Sequence, residues 1–168
     1  MWHAVRMRAR RRRRRLLAAV GPTLAAAVLG NAFVGSDALR WFREDLDRPA
    51  TLPPFRLFVV VGVVYYAIVG TVRYRALTRG DRRTAHLTLA VLAGNELWNA
   101  VFFGRRSTRN GFLGMVAFAV SLAALQRSVA EDRPSSALLA PYSAWVAYDL
   151  VWMWQLWRRN PRGAPGEG

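Results

Sequence analysis

Cysteine is absent from the 168 residues, which excludes disulfides, a thiolate nucleophile and a thiolate metal site. Lysine is absent as well. All 25 basic residues are arginine, which reads as the codon bias of a GC-rich genome and not as a functional signature. Histidine occurs only as His3, near the N-terminus, and His86, alone at the end of an apolar run, so no grouping has metal-ligand spacing. Nothing sets a nucleophile beside a base. The sequence therefore offers no candidate catalytic residue and no candidate metal ligand. Acids are scarce too, and the net charge of +15 would in a soluble chain point to nucleic acid. The arrangement argues against that. Eight arginines fall within Arg6–Arg15, and most of the others lie in short breaks between apolar runs.

Apolar sequence is what the chain has in quantity. Five runs approach the roughly 20 residues that carry a helix across a bilayer's hydrocarbon core. They are Leu16–Gly35, Phe55–Leu77, Ala85–Phe103, Gly111–Leu125 (extending to about Ala130) and Ala137–Trp157. The breaks Ser36–Pro54, Thr78–Thr84, Gly104–Asn110 and Glu131–Ser136 carry charge, Gly or Pro, as turns between antiparallel helices do. A soluble helical protein would show a charged face along each run, and these have none. The expected fold is all-α, a five-transmembrane-helix bundle, multi-pass in a bacterial cell membrane. Residues 1–15 form a basic, unstructured tail, residues 16–160 the membrane domain and residues 161–168 a short C-terminal tail. The arginines before Leu16 resemble the start of a secretory signal, but the run after them is long enough to span and shows no clean cleavage site, so it is read as retained. Arginine bias places the N-terminus inside, mostly through the N-terminal cluster. That cluster suits anionic lipid headgroups better than nucleic acid.

Polar residues inside a span are costly in lipid and turn toward protein or a cavity. In the third run Asn95, Trp98 and Phe102 follow i, i+3, i+7 spacing, with Asn99 extending that face. In the fifth, Tyr142, Trp145, Asp149 and Trp152 follow i, i+3, i+7, i+10. In the second, Phe58, Gly62, Tyr66 and Gly70 recur every four residues. Three converging helices would enclose a pocket with flat aromatic walls and a few hydrogen-bonding groups, suited to a large planar apolar ligand. Trp41, Trp154 and Trp157 lie near run ends, where aromatic rings anchor at the interface. Candidate partners for Glu96 and Asp149 are each other, Gln126 or a terminal arginine. Gly114, Ala117 and Ser121, with Ala119 and Ala123, give the fourth run small-residue spacing for close packing, within the bundle or across a dimer.

These residues also carry a resemblance. Asn95, Trp98, Phe102 and Phe103 match the Asn-x-x-Trp-x-x-x-Phe-Phe pattern of the third helix of the TspO/MBR family, the tryptophan-rich sensory and translocator proteins. Leu138, Leu139, Pro141, Tyr142, Trp145, Trp157, Arg158 and Asn160 fall on its fifth-helix pattern. Pro49, Pro53, Pro54, Phe58, Tyr66 and Gly70 fit its second helix and the loop before it. The resemblance covers about Trp41 to Asn160. It implies a five-helix bundle that binds porphyrin or haem with no obligatory cofactor, often as a homodimer. Tyr66, Asn95, Trp98, Trp145, Asp149 and Trp152 would line the cavity, and Ser36–Pro54 would cap it. The chain departs from the pattern where Ala50, Thr51 and Gly62 stand in tryptophan places, Asp149 in a small-residue place, and Trp152–Met153 in a Leu-Asn place. The expected function is a membrane sensor for a tetrapyrrole or similar hydrophobic molecule. Light-driven porphyrin degradation and transport of a hydrophobic or proton-coupled substrate are the alternatives.

Overall fold

A computed structural model describes residues 2–161, all of whose regular elements are helical. The order is α1 (Trp2–Phe33), α2 (Ser36–Arg40) running into a π-turn (Trp41–Asp45), α3 (Phe55–Arg79), α4 (Arg82–Asn99) running into a second π-turn (Ala100–Gly104), α5 (Thr108–Ser128) and α6 (Arg133–Arg159). The residues between these helices explain where they stop. Gly80 ends α3 at φ +78°, the left-handed position that glycine adopts without strain. Asp81 then caps α4 by accepting from the Thr84 amide at 3.0 Å. Ser107 caps α5 in the same way through Asn110, and Pro134 occupies the first turn of α6.

The basic segment expected to be unstructured is helical from Trp2 and runs without a break into the apolar turns of α1. Arginine is among the better helix formers, and here it extends a helix that packing has already nucleated. In the C-terminal tail, everything after Pro161 lies outside the described residues.

Among the described residues three helices are long and apolar enough to cross a membrane: α3, α4 with its π-turn, and α5. At 27 residues α6 is longer than any of these, but it mixes Ser, Tyr, Trp, Gln and Asp149 into its apolar sequence. The outer surface is apolar in the way lipid requires. Val28, Val63, Leu97 and Val120 are all exposed. The inner surface falls into two cores. One, around Tyr65, Val69, Val91, Leu122 and Leu139, joins α3, α4, α5 and α6. The other joins Trp41 and Phe42 to Phe102, Phe103, Trp152 and Leu156 beneath the first connector. Trp41, read from sequence as an interface anchor, is instead buried in this second core. Trp154 stays half-exposed with Arg158 5.7 Å from its ring, and Trp157 stacks on Phe112. Gly114 of the small-residue stripe faces α4, where an added Cβ would press on Val101 and Trp98.

A charged clasp ties the end of α3 to the start of α6. Asp132 accepts from Arg75 at 2.8 Å and Arg79 at 2.5 Å, and Arg75 also reaches Ser135 at 3.0 Å. Hydrogen bonding from Arg75 first, with Ser135 and Arg79 adding to it, holds the Asp132 carboxyl well below the usual carboxylate range. The carboxylate form therefore stabilises the fold at any pH above the unfolded value of about 4, and this contribution is lost as pH falls through the lower folded value. Thermal unfolding in mild detergent should show no pH dependence from this group between pH 8 and 5, and a falling midpoint below about pH 4. Asp132→Asn should lower the midpoint at pH 7 and flatten the acid limb; an unchanged acid limb in that variant would show that other groups set it.

Candidate functional site

A cavity of about 410 Å³ lies among the helices, with walls drawn from α1, α3, α4, α5 and α6. Its residues explain its shape. On α6, Tyr142, Trp145, Asp149 and Trp152 share one face because they fall at helical spacing. On α3, Phe58 and Tyr66 stand one turn either side of Gly62, whose missing side chain leaves open space between them. Phe58 meets Trp145 and Trp152 edge-on, with ring centroids 6.0 and 5.5 Å apart. On α4, Trp98 donates its indole N–H to the Gly111 carbonyl at 3.0 Å, which fixes the ring, and stacks on Phe102 at 5.4 Å. Gly111 permits this approach: a Cβ there would overlap the Phe102 ring.

The π-turn at Ala100–Gly104 changes the local register. Arg105 N–H bonds to Ala100 O at 3.1 Å, and Ser107 N–H to Phe102 O at 3.2 Å, each five residues back. The wider turn aims both Phe102 and Phe103 inward. Phe103, which lies off the Asn95–Trp98–Phe102 spacing, is buried and lines the cavity.

All nine residues singled out from sequence, Phe58, Tyr66, Asn95, Trp98, Phe102, Tyr142, Trp145, Asp149 and Trp152, stand on this one wall. Gly70, placed on the α3 stripe, does not. It turns to α1, where an added Cβ would meet Thr23. The sequence reading missed Phe55 and Gly30, and it missed Met115 and Phe118 on α5. Phe118 has a signal in hindsight, since it is the one aromatic ring on the inward stripe of α5 with Met115 and Leu122. Gly30 has none, because α1 carries no aromatic pattern to orient it.

The two acids have separate partners, and neither is the one expected. Glu96 accepts from the Tyr66 hydroxyl at 2.7 Å and the Asn95 amide at 3.1 Å, with Asn99 at 3.5 Å. Its other side lies against Gly30 of α1, where a Cβ would overlap Oε2. Asp149, 6% exposed, accepts from the Trp152 indole at 2.7 Å. Gln126 is engaged with Ser136 and Ser143 instead.

The first connector covers one end of the cavity. Phe42 lines it, and the connector is strapped to α6 by Thr51 Oγ1 on Gln155 at 2.6 Å and by Asn160, which exchanges hydrogen bonds with the backbone of Asp47 at 3.0 and 3.1 Å. Val59 and Val63, both exposed, form the rim along α3, so the cavity opens sideways onto the lipid-facing surface. No group of His, Cys, Asp and Glu capable of holding a metal occurs among the described residues.

Comparison with known proteins agrees with this architecture. A model of the TspO/MBR family matches residues 18–158. The Tryptophan-rich protein TspO of Chlorobaculum tepidum is 27% identical over 148 residues, covering 84% of this chain and 93% of its own. The protein of the same name from Archaeoglobus fulgidus is 26% identical over 137 residues, covering 80% and 89%. The human Translocator protein is 28% identical over 152 residues, covering 84% and 89%.

Proposed function

From its membership of the TspO/MBR family, to which this chain belongs as a membrane protein of the sensory and translocator type, we propose that the cavity binds a large planar hydrophobic ligand of the tetrapyrrole class, porphyrin or haem. The observation that carries the reading is the wall itself. Flat rings from three helices enclose about 410 Å³, within the range of small-molecule sites, and a few fixed polar groups interrupt them. Such a wall offers stacking and edge contacts to a flat ligand, and Tyr66, Asn95 and Asp149 offer orientation. The side opening along α3 admits a ligand already dissolved in the bilayer. In this reading α1 and α6 also span, giving five crossings, and the exposed arginines at the helix ends sit among anionic headgroups.

Gly62 supplies the test. An added Cβ there meets nothing within 4 Å and points into the cavity, so Gly62→Phe fills the space without forcing the helices apart. Protoporphyrin IX added to the detergent-solubilised protein should quench tryptophan fluorescence saturably. Gly62→Phe should weaken this by at least tenfold while thermal stability is kept or raised, since leaving glycine favours a helix interior by up to about 1 kcal/mol. Absence of quenching in the unaltered protein at saturating porphyrin would overturn the reading.

A further inference from the structure

We propose that Asp149 makes the cavity selective for ligands that bring a protonated or N–H nitrogen to its inner wall, and that it excludes ligand carboxylates from that depth. The inference rests on the cavity reading and names the chemistry the cavity selects. Asp149 projects from the middle of α6 onto the cavity wall, nine-tenths buried, among Phe58, Tyr142, Trp145 and Trp152. No arginine or histidine lines the cavity, and no cation pairs with Asp149 among the described residues. Its hydrogen bond comes from the Trp152 indole N–H, which only donates, so the side chain is held as an acceptor. A carboxylate has about four acceptor sites, and one indole leaves others open to the cavity. A buried acid without a counter-charge is costly in lipid, and a ligand donor offsets that cost. A ligand carboxylate at the same depth would instead meet a like charge.

Glu96 does not share the role. Tyr66, Asn95 and Asn99 already occupy its oxygens, and Glu96 faces α1. The arginines near the cavity lie outside it. Arg43, Arg48 and Arg56 line a shallower depression under the first connector, which shares only Phe42 and Phe55 with the cavity, and Arg43 sits 4.5 Å over the Phe55 ring. The chain thus sets acceptors deep and cations at one end, an order that suits a flat ligand with nitrogen donors inside and acidic substituents toward the connector.

Three tricyclic probes of matched shape test this: 9-aminoacridine as the cation, 9-methylanthracene as the neutral form and 9-anthracenecarboxylate as the anion. Binding is read by tryptophan quenching in a non-ionic detergent, corrected with protein-free micelles. The cation should bind at least about tenfold tighter than the neutral probe, as expected of a hydrogen bond to a charged group, and the anion should bind weakest. In Asp149→Asn, which can still accept from Trp152, the ratio of cation affinity to 9-methylanthracene affinity should fall to about one; Asp149→Glu should keep the preference. A cation preference that survives in Asp149→Asn, or is missing from the unaltered protein while the neutral probe binds, overturns the inference alone. Failure of all three probes together with protoporphyrin overturns the cavity reading beneath it.

Discussion

Phe102→Ala will destabilise the fold by about 2–4 kcal/mol, measured by thermal or denaturant unfolding in mild detergent, and will loosen the first connector with it. Phe102 is fully buried in the π-turn after α4. It stacks on Trp98 and meets Trp41, Phe42 and Phe103 at centroid distances of 5.4, 5.9 and 4.7 Å. In water, truncating such a ring loses both its transfer free energy and the packing around the hole it leaves. In lipid the transfer part shrinks, because acyl chains solvate a ring as well as protein does, while the packing part stays. Trp41 and Phe42 of the connector rest on this ring. The Trp41 indole N–H has no partner among the described residues, so water entering the hole would find a donor there. Phe102→Leu should recover most of the loss, and Leu97→Ala, on the exposed face of the same helix, should change stability by under about 0.5 kcal/mol. Equal effects of Phe102→Ala and Leu97→Ala would mean the ring supports nothing.

Residue spacing carried much of this site. Asn95, Trp98, Tyr142, Trp145, Asp149 and Trp152 are spaced at helical intervals, and an intact helix turns such spacing into one wall. The reading failed where the backbone departs from 3.6 residues per turn or where no periodic signal exists. A π-turn is a local widening of the hydrogen-bond ladder, invisible in the residue pattern, and it brought Phe103 inward. Trp41 looked like an interface residue because of its position near a run end. Only the strapping of the connector to Gln155 and Asn160 shows that it is folded under the bundle. The apolar turns of α1, residues 16–30, hold only Leu, Ala, Val and Gly with Thr23 and one internal proline, so its contact face could not be assigned before its partners were placed. Glu96 was expected to face protein, and it does, but its partners come from α3 and from its own helix.

The proline of α1 makes the second large prediction. Pro22 has no N–H, so the Ala18 carbonyl, four residues back, lacks its helical donor. Arg73 of α3 supplies one: its Nε donates to Ala18 O at 2.9 Å. The same guanidinium donates through Nη1 to Ala85 O and, at 3.3 Å, to Thr88 Oγ1 of α4. One side chain, 8% exposed and without a carboxylate beside it among the described residues, therefore mends the break in α1 and fixes α1 against both neighbours. Arg73→Met should cost about 2–3 kcal/mol, because three hydrogen bonds from a charged group are lost, two of them to buried Ala85 and Thr88. Pro22→Ala returns an N–H to the ladder, so Ala18 O no longer depends on Arg73. In the Pro22→Ala background Arg73→Met should therefore cost about 1–2 kcal/mol less, a coupling large enough for a double-mutant cycle to resolve. The same cost in both backgrounds would show that Arg73 acts only through Ala85 and Thr88, and that the proline break in α1 is tolerated without it.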